Sequence, residues 1–69
     1  MANKHAEHLA ALQARLDELR AALESEETAA LAEWPASSAA WRAKETLSAV
    51  RNDVEGIQLA LQRLEGWLN

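Results

Sequence analysis

Leucines at positions 9, 12, 16, 19 and 23 step by alternating threes and fours, the spacing that keeps all five on one stripe of a helix. The pattern predicts a first helix over about 3–33. Asn3 is placed to cap it, and Glu7 sits in its first turn, where the amide ends of the helix dipole favour a negative charge. A second series, Leu47, Val50, Val54, Ile57, Leu61, Leu64 and Leu68, keeps the same rhythm without a gap and predicts a second helix over about 38–68. Between them Trp34-Pro35-Ala36-Ser37 forms a turn over 34–37, because proline disfavours a helical residue before it and a serine hydroxyl can cap the second helix.

If that turn reverses the chain, the two stripes mesh: Leu23 falls opposite Leu47, Leu19 opposite Val50, Leu16 opposite Val54, Leu12 opposite Ile57 and Leu9 opposite Leu61. The expected fold is all-α, an antiparallel hairpin of two helices about 45 Å long, forming a single domain over residues 1–69. Its expected core is Leu9, Leu12, Leu16, Leu19, Leu23, Leu47, Val50, Val54, Ile57, Leu61 and Leu64. Two helices wall such a core on one side only. A homodimer closing into a four-helix bundle would cover the other side, with Ala10, Ala14, Ala21, Ala22 and Ala60 permitting close approach.

Some local signals compete with this pattern. Ser25 can cap a separate short helix or bend the first one, and Asn52-Asp53-Val54-Glu55 matches a capping box that would split the second. The unbroken 47–68 rhythm argues against the second split. In the first helix Leu12, Leu23 and Trp34 are eleven apart, a spacing that a straight helix keeps nearly aligned.

Composition sharpens the picture. Alanine accounts for 16 residues of the 69, so the 49% hydrophobic content contains few large side chains, too few to line a deep enzyme pocket. A folded chain of this size gains only about 3–5 kcal/mol from one core, and it has no cysteine for a disulfide. The net charge of −4 is concentrated in the first helix, while the second is neutral. Direct binding to nucleic acid would need a basic face that neither helix supplies, and a membrane-surface helix would need the same. The opening Met1–His8 carries no apolar run of signal-peptide length, which predicts a soluble, cytoplasmic protein.

Four features carry candidate chemistry. Leu31, Trp34, Trp41 and Arg42 gather at the turn end, and tryptophan and arginine are the side chains most often responsible for binding energy at interfaces. The plainer role for these indoles is to plug the alanine-thin end of a bundle. Gly56, Leu59 and Arg63 share a stripe with Gly66 on the second helix, facing away from the seam. A glycine inside a helix costs about 1 kcal/mol relative to alanine, which suits close approach of another backbone at Gly56. Glu24-Ser25-Glu26-Glu27 concentrates negative charge that a basic partner surface would complement, although such runs are commonly just solvated; Glu26 can also curl toward Lys44 from a seam position opposite Ala43. His5 and His8 lie one turn apart, but zinc wants three or four ligands and no thiol is present.

No phosphate loop, cysteine nucleophile or serine–histidine–acid set occurs in the sequence, so no catalytic residue, cofactor or metal is assigned. The pattern fits a non-catalytic interaction module: an acidic hairpin homodimer that binds a larger bacterial protein, such as a regulator, and modulates it by occupying its surface. This is similar in type to small antagonists of bacteria and their phages. The alternatives are a structural coiled-coil or chaperone subunit, and a metal-binding protein using His5 and His8.

Overall fold

The computed structural model describes residues 4–68. The chain is a hairpin of two helices, α1 over Lys4–Glu33 and α2 over Ser38–Leu68, joined by a single 3-10 turn at Trp34–Ala36. It measures 56 × 15 × 10 Å. Asn3, the expected cap of α1, lies outside the described residues.

The turn is built from the residues that the sequence places there. Pro35 lies at the start of the 3-10 turn, where a missing N–H is harmless. The Ser37 amide donates to the Trp34 carbonyl at 3.1 Å, closing the turn. Ser37 itself is extended, with φ −151° and ψ 117°. Its hydroxyl accepts from the Ala40 amide at 3.2 Å, the bond an N-cap serine makes to the third helical residue. Neither competing signal breaks a helix. α1 runs through Ser25, where Thr28 turns its hydroxyl back onto the Glu24 carbonyl at 3.0 Å, and α2 runs through Asn52 and Gly66.

The seam differs from the expected one. On α1 the positions turned toward the partner helix are Ala6, Leu9, Gln13, Leu16, Arg20, Leu23, Glu27 and Ala30, all half-buried. On α2 they are Ala40, Lys44, Leu47, Arg51, Val54, Gln58, Leu61, Glu65 and Leu68. Each helix therefore contributes one apolar file and, beside it, one polar file. Among the described residues only Ala40, Val54 and Gln58 are buried, all three on α2, and no large side chain is fully enclosed.

Five of the residues expected in the core lie outside it. Leu12 is 41% exposed, Leu19 46%, Val50 41%, Ile57 51% and Leu64 40%. Val54 is buried, and Leu9, Leu16, Leu23, Leu47 and Leu61 are half-buried. The reason is geometric. A single neighbouring helix covers a strip about two files wide, and each helix here offers three adjacent files, two apolar and one polar. The hairpin rolls about the shared file so that the polar residues on its other side meet and hydrogen-bond, leaving the outer apolar file in the open.

Val54 is the best-buried large apolar residue, at 5% exposure. Val54→Ala is expected to lower the unfolding free energy by about 2 kcal/mol, through lost transfer energy plus a small cavity. Leu59→Ala, at a position 57% exposed, should change it by less than about 0.5 kcal/mol. Urea unfolding of both variants at one protein concentration provides the check.

Candidate interaction site

Three surfaces stand out on the hairpin: a polar flank, an apolar flank and the closed end. The polar flank holds the two helices in register. Gln13 donates its side-chain amide to the Gln58 carbonyl at 2.9 Å. The Gln58 side chain donates to Asp17 at 2.7 Å and accepts from Arg20 at 2.9 Å, so this buried amide is satisfied at both ends. Nearer the turn, Arg51 donates to Glu27 at 2.6 Å and to Glu55 at 3.0 Å, while the Ser48 hydroxyl donates to the same Glu27 carboxylate. The Glu27 side chain is only 12% exposed and that of Arg51 26%, so solvent screens this pair less than a surface one. The hydrogen bond from Arg51, and then that from Ser48, holds the Glu27 carboxyl below the usual carboxylate range.

The acidic run therefore divides between two environments. Glu27 is engaged inside the hairpin, whereas Glu24 and Glu26 are exposed. The expected reach of Glu26 to Lys44 is not made. Lys44 instead sits over the Trp41 ring, 5.2 Å from its centre, and Glu27 supplies the cross-helix bond that fixes register. Gln13, Asp17, Arg20, Ser48, Arg51 and Gln58 were not singled out from the sequence. The available signal was a polar series at steps of seven, Gln13, Arg20 and Glu27 on one helix and Arg51, Gln58 and Glu65 on the other, running beside the leucines.

At the closed end the structure brings Trp34 and Trp41 together, their ring centres 5.5 Å apart and the planes inclined by 55°. Such a tilted pair contributes about 1 kcal/mol beyond its area, and the Lys44 ammonium over Trp41 adds roughly 0.5–1 kcal/mol. The rings are braced yet not enclosed: Trp34 is 48% exposed and Trp41 38%. Leu31, also exposed, lies one turn before Trp34 but lines a separate shallow recess with Glu24, Glu27, Thr28, Lys44 and Arg51. Arg42 is exposed beside Trp41 in the chain, and no hydrogen bond or ion pair holds it among the described residues.

Gly56, Leu59 and Arg63 lie on the back of α2, all exposed. A methyl group built at Gly56 or Gly66 meets nothing within 4 Å, so nothing within the hairpin requires glycine there. Leu59 borders a groove with Ala10, Ala14 and the polar flank. One turn beyond Arg63 stands Trp67, 85% exposed, which the sequence pattern had not marked. His5 and His8 border an apolar recess with Leu9, Leu64 and Leu68 at the open end, and no group of three metal-ligating side chains gathers among the described residues.

The elongated hairpin exposes more surface than a compact molecule of its mass. Its accessible area is 5213 Å². A compact monomer of this mass exposes about 4,300 Å², leaving an excess of roughly 900 Å². No helix is long and apolar enough to cross a membrane among the described residues. No family model matches the chain, and no curated protein or solved structure is significantly similar to it.

Two outcomes test the pairing of Glu27 and the openness of the back of α2. Because the carboxyl of Glu27 is depressed in the folded state, its pairing contributes above the unfolded carboxylate range and is lost as pH falls through the folded value. Thermal unfolding followed from neutral to acidic pH should show Glu27→Gln less stable than the parent at pH 7 and less sensitive to acid; parallel curves would contradict the pairing. Gly56→Ala, in open space within a helix, should raise stability by about 1 kcal/mol in the same assay.

Proposed function

We propose that this chain is a non-catalytic interaction module: a cytoplasmic helical hairpin that pairs with a second copy in a four-helix bundle and docks on a larger bacterial protein, such as a regulator, inhibiting it by occupying its surface. The observation that carries this reading is the closed end. Trp34 and Trp41 are set against each other by the turn, Lys44 lies over Trp41, and both rings keep more than a third of their surface in solvent. A pre-ordered pair of indoles loses little entropy on binding, and tryptophan and arginine together are the commonest anchors of interface energy. Arg42, next to Trp41 in the chain, is exposed, and Glu24 and Glu26 are exposed farther along α1, so charges of both signs lie on the surface leading to the tip. The bundle is supported by the apolar file that the hairpin leaves outside, since a second hairpin would offer a matching file.

The test starts from affinity capture in the native cell, followed by titration of the purified hairpin against the protein identified. Trp34→Ala and Trp41→Ala should each weaken that binding by about thirtyfold or more, the effect of truncating an interface anchor, while circular dichroism and mass in solution stay as in the parent. Unchanged affinity would overturn the docking role of the tip. Loss of the bundle itself would move the tryptophans into its core and favour a purely structural coiled-coil assembly.

A further inference from the structure

The cross-helix hydrogen bonds of Gln13, Asp17, Arg20 and Glu27 with Gln58, Ser48 and Arg51 fix one flank of the hairpin as polar. The file of Leu12 and Leu19 on α1, and that of Val50, Ile57 and Leu64 on α2, lie on the other side of the shared Leu9–Leu16–Leu23 and Leu47–Val54–Leu61 files. Both therefore open onto the opposite flank. Five large aliphatic side chains, each at least 40% exposed, occupy one side of a body 56 Å long and 15 Å across. The rod-shaped hairpin as a whole exposes roughly 900 Å² more than a compact monomer of its mass, comparable to the 800 Å² or so that each partner buries in a stable interface, so covering one flank would bring it to an ordinary surface.

We infer that a second copy of this chain covers that flank in antiparallel orientation, with the two-fold axis passing near Ile57, so that the two tryptophan tips stand at opposite ends of one bundle. The inference rests on the proposed bundle, which it orients, and on the docking role of the tip for its functional consequence, which is that one dimer engages two partner molecules. Its geometry rests on how the apolar file ends. Toward the closed end the file runs out in Glu26 on α1 and Ala43 on α2; toward the open end it reaches His5, with His8 beside it. The aliphatic stretch is thus displaced toward the open end, away from the tip.

Either orientation can lay one aliphatic stretch on the other. A parallel pair would also set Glu26 level with Glu26 of the second copy, two carboxylates at one height of the same seam. An antiparallel pair centred on Ile57, which lies level with Leu12 across the hairpin, places the two Glu26 residues on opposite sides of the axis. Each is about fourteen residues of helix from that axis, so the carboxylates stand roughly 40 Å apart, several screening lengths at physiological salt. Separating like charges while keeping the aliphatic overlap favours this orientation over the parallel one. Ile57, the most exposed of the five aliphatics at 51%, lies where the axis meets the file and packs against its own counterpart.

The chain has no cysteine, so Ala36→Cys provides a unique attachment point for a spin label at the turn. About twenty helical residues separate the tip from Ile57, which sets the two labels of an antiparallel dimer about 60 Å apart. A parallel dimer would bring them within about 25 Å, given helix axes 8–10 Å apart. The measurement is pulsed electron spin resonance on the full chain, with sedimentation equilibrium on the same sample. A dimer mass with a distance near 60 Å is the expected result. A short distance overturns the antiparallel arrangement, and a mass that stays monomeric into the high micromolar range overturns the second copy as occupant of the flank. Neither readout uses the docking partner, so failure to capture one leaves this inference standing, and failure here leaves the tip's affinity test intact.

Discussion

A helix in a hairpin has one neighbour, and one neighbour covers a strip of side chains about two files wide. In this chain each helix carries apolar residues on two adjacent files and polar residues on a third, with the leucines at 9, 16 and 23 and the residues at 47, 54 and 61 common to either choice of strip. The hairpin covers the shared file and the polar one. Three properties of the molecule result from that choice: a thin core, a hydrogen-bonded flank, and an aliphatic flank facing water.

Covering the polar file is reasonable on energetic grounds. A Gln58 side chain in the seam would be costly if left unpaired, and it is paired at both ends, with Arg20 and Asp17. Glu27 and Arg51 sit closer to the turn, where alanines leave room for long side chains. Directional bonds of this kind add modestly to stability but select one register, because a slide by one turn would break several of them together. Aliphatic contacts alone would tolerate such a slide more readily.

The closed end illustrates how a short connection shapes a surface. Pro35 and the Ser37 cap bring the last residue before the proline and the fourth residue of α2 to the same place, so two tryptophans seven positions apart stack in a tilted pair. Lys44, one turn farther along, completes the group from above. Among the described residues only Ala40, Val54 and Gln58 are buried, so the hairpin has no core to enclose those rings and they remain presented to solvent.

The alternation of threes and fours in the apolar positions was enough to specify two helices, and the proline–serine turn was enough to reverse the chain, because helix periodicity and capping depend on neighbours close in sequence. The same pattern could not say which edge of each stripe would face the partner helix. Leu12, Leu19, Val50, Ile57 and Leu64 are as hydrophobic as the residues that went inside, and the sequence-only pairing placed them there. The roll of one helix against the other was decided by groups distant in sequence, Gln13 with Gln58 and Glu27 with Arg51, whose bonding geometry exists only once both helices are side by side. Periodicity fixes what a helix offers; only packing determines which part of the offer is taken up.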